Sequence, residues 1–374
     1  MRDLLLADFP FLTSLASSER PNDRRIWLRI AIDYFVAMEP SDSDMIARFV
    51  EATAAKLAAA DPATRLEIAR KLGPCARAPA RLLAALRFLD PDAADYVLEH
   101  AVACSNGELE RAIASGGRGA IAVAKRKNLD PHIVKALASN DDVLVLVALA
   151  SNESARLEGP SLFDLLRRAR RLAEQEGDRR LADALLERGR IGPEHAALFL
   201  CAQPNRRIEI LLAVQRSQLG RSSGSSPPMR STSLDDLELA AVARQPERFV
   251  SLLAEALDCS QEFARAIVHD ATGEPLAVAL TALGAPNEIL VRVLISNDLM
   301  AGANYQRIRA LARLNNALNR NAAMMVIAAL REDSLVRRGQ KGFVENNPIR
   351  SSSFPASAGI ANKASDLPMR ALRK

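Results

Sequence analysis

Aromatic side chains are scarce in this chain: Phe, Tyr and Trp together make up 4% of it, with one Trp. Sandwiches and barrels draw on aromatic and β-branched residues for their pleated faces, so this scarcity argues against them. Ala and Leu recur at nearly every turn instead, which favours closely packed helices and an all-α fold class. Cysteine is equally sparse. Cys75, Cys104, Cys201 and Cys259 stand singly, with no CxxC and no compact spacing. That excludes a disulfide framework and a zinc knuckle, and reads as reduced, buried small hydrophobes in a cytoplasmic protein. Long hydrophobic runs are missing too. The longest, Val143 to Ala150 and Ala322 to Leu330, reach about half of the roughly 18 residues a membrane span requires. The opening MRDLLLADFPFLTSL is broken by Asp3, Asp8 and Pro10, which is too short an apolar run for a secretory signal.

A strong excess of one charge is also lacking over most of the chain. The 374 residues carry 50 Lys and Arg against 45 Asp and Glu, a net of +5. From Ser334 onward there are eight basic residues (Arg337, Arg338, Lys341, Arg350, Lys363, Arg370, Arg373 and Lys374) against Glu345 and Asp366, a net of +6. Residues 1–333 therefore sum to −1. The body is neutral and the tail is basic.

What the chain does have is helix punctuation. Asp61-Pro62, Asp90-Pro91 and Asp130-Pro131 each put a capping carboxylate before a proline at the first helical position, where a missing N–H costs nothing. Gly192-Pro193 repeats the proline with a weaker cap. The pentapeptide ALASN occurs twice, at 136–140 and 148–152. Asn128, Asn140 and Asn152 each follow an Ala- and Leu-containing segment, and Asn suits the left-handed position just past a helix end. A spacing of 12 residues thus holds one helix of two to three turns and its turn. Helices this short are marginal alone and need neighbours. Repeated short amphipathic helices, offset by about 30 to 40 residues per pair, are how a HEAT-like α-solenoid is written. The sequence Val293 to Asp298, VLISND, echoes ALASND at 136–141.

The segment SQLGRSSGSSPPMRSTS, 217–233, is rich in Ser, Gly and Pro and reads as a linker. The expected organisation is an N-terminal helical region at 1–216, a linker at 217–236, a C-terminal helical region at 237–333 and a disordered basic tail at 334–374. Three stretches, AIAVAKRKNLDPHIVKALASNDDVLVLVALASN, HDATGEPLAVALTALGAP and NNALNRNAAMMVIAAL, together resemble an uncharacterised bacterial domain family of HEAT-like or leucine-rich-variant helical repeats. The resemblance covers most of residues 20–330. It implies a solenoid and brings no catalytic residues with it.

Four stretches invite a chemical reading. His100 and Cys104 are spaced as two zinc ligands on one helix face, but no second pair completes a site. Ser115 to Ala120, SGGRGA, is glycine-rich, yet it matches no phosphate-loop pattern and reads as an inter-helix turn. His269-Asp270 has the dipeptide of metal phosphohydrolases without the further His and Asp that chemistry needs, so Asp270 to Pro275 reads as a turn with Pro275 opening a helix. Leu165 to Arg188 carries Arg167, Arg168, Arg170 and Arg171, a candidate contact for an acidic partner or nucleic acid. Interleaved Glu174, Glu176, Asp178, Asp183 and Glu187 instead suit helix-surface pairing. No cofactor is implied. The sequence points to a non-enzymatic binding or scaffold protein with a protein or peptide partner. A nucleic-acid-associated protein is the alternative.

Overall fold

A computed structural model describes residues 20–37, 43–189, 191–218, 234–296 and 305–331, with Leu15 and Ser18. The described residues are helical, with turns between helices and no strand among them. Most of the expected linker, and the basic tail after 333, lie outside the described residues. So does the opening apolar run up to Ser14.

The first helices are α1 (Pro21–Ala37), α2 (Ser43–Ala58), α3 (Pro62–Leu72), α4 (Ala80–Leu89) and α5 (Pro91–His100). They are followed by α6 (Asn106–Ser115), α7 (Gly117–Ala124), α8 (Pro131–Ala138), α9 (Val143–Ser151), α10 (Gly159–Arg171) and α11 (Arg180–Glu187). These pack as two rows. Helices α1, α3, α5, α7, α9 and α11 each touch the next in that series, while α2 touches α4, and α6, α8 and α10 follow one another in the second row. Each neighbour within a row is thus two elements on in sequence.

The proline caps form as the residues predict. The Asp61 side chain accepts from the Thr64 N–H at 2.9 Å, Asp90 from Ala93 at 2.8 Å and Asp130 from His132 at 2.9 Å. Gly192-Pro193 opens a single 3-10 segment, Pro193–Leu198. The asparagine stops work by another route. Asn128 is left-handed, at φ 54°, but Asn152 has extended backbone at φ −82° and Asn140 is not left-handed either. The side chains of both carry the turn. Asn140 Oδ1 accepts from the Asp142 N–H at 2.8 Å, turning the chain into α9. Asn152 Nδ2 donates to the carbonyls of Ala124 and Arg126 at 2.8 and 2.7 Å, tying the end of α9 to the end of α7. A side-chain bond of this kind satisfies orphan carbonyls without left-handed backbone.

The remaining helices are α12 (Pro204–Gln218), α13 (Leu234–Val242), α14 (Pro246–Leu257), α15 (Gln261–His269), α16 (Glu274–Leu283), α17 (Asn287–Ser296), α18 (Tyr305–Ala317) and α19 (Arg320–Leu330). Residues 217–218 and 234–236, inside the expected linker, are helical. Every residue of α16 from Pro275 to Leu283 is buried, as a helix apolar on all sides must be. Helix α19 packs on α16 and also on α12 and the 3-10 segment.

Two apolar clusters fill the molecule. The smaller runs from Trp27 to Ala101 and includes the stacked rings of Phe35 and Phe49 at 4.6 Å. The larger runs from Leu98 to Leu330. Cys104 packs against both. The core is therefore continuous across the Ser/Gly/Pro stretch and narrows near residue 100 instead.

Candidate binding surfaces

The four arginines singled out in the sequence separate on folding. Arg167 is exposed and pairs with Asp164 at 2.7 Å. Arg168 reaches the Asn140 carbonyl and Asp141. Arg170 is only 7% exposed, and bonds to Glu174 at 2.7 Å and to the Leu330 carbonyl. Arg171 is exposed. The four share α10, but Arg170 is buried while Arg167 and Arg171 are exposed, and α10 ends at Arg171, short of the later arginines. A π-helical turn, Leu172–Glu176, and left-handed Gly177 at φ 69° follow before α11 begins. The break therefore separates Arg167, Arg168, Arg170 and Arg171 from Arg179, Arg180 and Arg188. Of the interleaved acidic residues, Glu174 pairs with Arg170 and Asp178 with Arg180, both at 2.7 Å. The Arg180 bond lowers the Asp178 carboxyl to about 2.

The other stretches resolve as turns. Helix α5 stops at His100, so Cys104 falls beyond it and the two are not one turn apart on a helix. His100 packs on Tyr96 at 4.4 Å, and Cys104 lies 4.0 Å from the Val97 carbonyl. Burial pushes the Cys104 thiol up. Gly116 and Gly117, at φ 69° and 59°, reverse the chain between α6 and α7. Arg118 is engaged by Asp92 and Asp95 at 2.7 and 2.6 Å. Asp270 is held by Arg207 at 2.8 Å, and Gly273, at φ 71°, ends the turn before Pro275. Among the described residues no group of three His, Cys, Asp or Glu is placed to hold a metal ion.

Two concavities were not singled out from the sequence. The first is a groove of about 660 Å³ between α7 and α9, with Ile121, Leu144, Val147 and Ala148 on its floor and Lys125, Lys127 and Glu153 at its edge. Leu144 is 50% exposed. Its signal was present, for α9 reads VLVLVALAS, and a helix with no polar residue before its last position leaves an apolar side outward unless it is covered on all sides. Lys125 and Lys127 are exposed.

The second is a cleft of about 900 Å³ where the end of α10, the turn around Cys201, the α14–α15 turn and the end of α19 meet. Arg170, Glu174, Arg179, Asp258, Glu262 and Arg331 supply its charges. Its walls also hold Cys201 and Cys259. Burial pushes both thiols up, Cys259 to about 11, so neither is a nucleophilic thiolate at neutral pH. The wall comes from segments more than 150 residues apart, which is why no local pattern announces it.

No family model, curated protein or solved structure matches this chain.

Proposed function

We propose that the chain is a non-enzymatic binding protein, a HEAT-like α-solenoid whose outward helix row takes a peptide segment of a protein partner. The next-but-one packing of α1 to α11 supports the solenoid reading, because each helix pair stacks on the pair before it. One observation carries the binding reading: in the α7–α9 groove the exposed Leu144 adjoins half-buried Ile121, Val147 and Ala148 beside two exposed lysines. Soluble proteins leave contiguous apolar surface where something binds. An aliphatic side chain would fill the floor and flanking carboxylates would meet Lys125 and Lys127. The partner segment is accordingly apolar and acidic. The tail, net +6 in sequence, would add a second contact to the same partner.

Selection of displayed peptides on the full chain tests this. Enriched peptides should combine Leu, Ile or Phe with Asp or Glu. Leu144→Glu, or Lys125→Glu with Lys127→Glu, should weaken them about tenfold or more, as the loss of one anchor contact of about 1.4 kcal/mol does. All three positions are exposed, so the variants should fold. Selected peptides indifferent to both changes would place the binding elsewhere.

A further inference from the structure

The cleft at the end of α10 is a second binding site, and we propose that its ligand is a small organic anion. A carboxylate or phosphate head is held by Arg170 and Arg179, and an apolar body lies along Phe263, Ala266 and Leu200.

The buried arginine carries the argument. A guanidinium has five N–H donors in a fixed fork. Arg170 gives Nε to Glu174 and Nη1 to the Leu330 carbonyl, which leaves Nη2 without a partner among the described residues. The residue is 7% exposed and lines the cleft, so its remaining open surface belongs to the cleft wall. Its guanidinium also lies 6.0 Å from the ring centre of Phe263, which joins the charged end of the cleft to its apolar side. Arg179 donates Nη2 to the Cys201 carbonyl and keeps Nε and Nη1. Arg170, Glu174, Arg179 and Cys201 all line the cleft.

The wall carries Arg170, Arg179 and Arg331 against Glu174, Asp258 and Glu262, so its charges balance and an anion is held by open N–H donors rather than by net charge. Glu174 is tied to Arg170 and Asp258 to Arg331. Glu262 and Arg179 are both exposed, so water and salt screen both charges beyond about 8 to 10 Å. Arg207 is already matched by Asp270 and Glu274. What remains is the open edge of a nearly buried guanidinium, with the exposed Arg179 on the same cleft wall. A forked donor pair suits a carboxylate or phosphate. The cleft volume of about 900 Å³ falls within the range that holds small ligands.

Titration calorimetry of the full chain with phenyl phosphate, benzoate and inorganic phosphate tests the proposal. At least one of the two aromatic anions should bind saturably at one site, about tenfold tighter than inorganic phosphate. Comparing them shows whether the head is a phosphate or a carboxylate. Arg179→Gln should weaken that binding about tenfold, while Arg171→Gln, at an exposed position outside the cleft, should leave it unchanged. The bound anion should also slow maleimide labelling of Cys259 and not of Cys75. Leu144→Glu should have no effect, which separates this site from the α7–α9 groove. The proposal is overturned by absence of saturable binding of both aromatic anions up to about 10 mM, by equal affinity for inorganic phosphate, or by equal loss in the Arg171 and Arg179 variants.

Discussion

Arg207 shows how much a single side chain can hold here. It is 4% exposed, and its guanidinium bonds to the carbonyls of Phe199 and Leu200 at 3.0 Å, to Asp270 at 2.8 Å and to Thr272 at 2.6 Å. Glu274 lies 3.3 Å away. Removing one partner of a buried ion network strands the others, at a cost of about 3 to 5 kcal/mol. Arg207→Met should lower stability by that order in urea unfolding; a loss below about 1 kcal/mol would mean the network is wet. Burial pushes the Asp270 carboxyl up, but its bonds to Arg207 and Thr272 prevail and hold it below its usual value of 3.8. The folded state therefore binds fewer protons at Asp270 than the unfolded chain does. Its contribution is full above the unfolded value near pH 4 and is lost as pH falls through the lower folded value. Asp270→Asn should be less stable at neutral pH and should lose less stability than the parent between about pH 4 and pH 2. Thr53 behaves oppositely. Its hydroxyl is buried without a hydrogen-bond partner among the described residues, and the valine of Thr53→Val has nearly the same shape. That change should raise stability by about 1 kcal/mol, and a decrease would reveal a partner for the hydroxyl. The sequence marked Asp270 as a turn residue, and it is one. It did not mark Arg207, because the partners are 63 to 67 positions apart.

At the level of the helix, the sequence announced where elements begin better than how they end. An Asp-Pro start is local, since the cap and the N–H it accepts from lie within three residues, and all three starts were legible. Helix ends here are finished by side chains from far along the chain. Arg65 collects the carbonyls of Leu57, Ala58 and Leu89. Arg126 collects those of Leu98 and Ala101, and Arg188 those of Ala150, Asn152 and Ala155. Arg320 bonds to Ala282 from 38 positions away. Each fork satisfies orphan carbonyls that a short helix exposes in proportion to its length, and favourable charge at a helix C-terminus adds to the bond. Asn152 joins the same system, which is why its backbone did not need the left-handed conformation expected of it. Lysine has the charge without the planar fork. Arg188→Lys should therefore cost about 2 kcal/mol and speed amide exchange at the end of α9. If lysine restores full stability, charge alone closes these helices.

Across the whole molecule, helical class was written in the scarcity of aromatics and in the punctuation, while the path of the core was not. A Ser/Gly/Pro stretch weakens local structure but says nothing about which helices meet beyond it. Here α19 closes onto α12 and the 3-10 segment, so the main apolar cluster passes from one side of that stretch to the other. The charge of the chain, by contrast, is fully legible and supports a prediction about nucleic acid. Residues 1–333 sum to −1 and the rest to +6, and Arg167, Arg168 and Arg170 are each bonded within the fold. Any affinity for DNA or RNA that comes from bulk charge should reside after 333 and fall steeply with salt, in proportion to the phosphates neutralised. A chain ending at Asp333 should lose that affinity in a duplex-binding titration. Arg167→Gln with Arg171→Gln in the full chain should change it little. A truncated chain that still binds duplex tightly at physiological salt would instead place a groove for nucleic acid on the helical body, and the peptide-binding reading would give way to it.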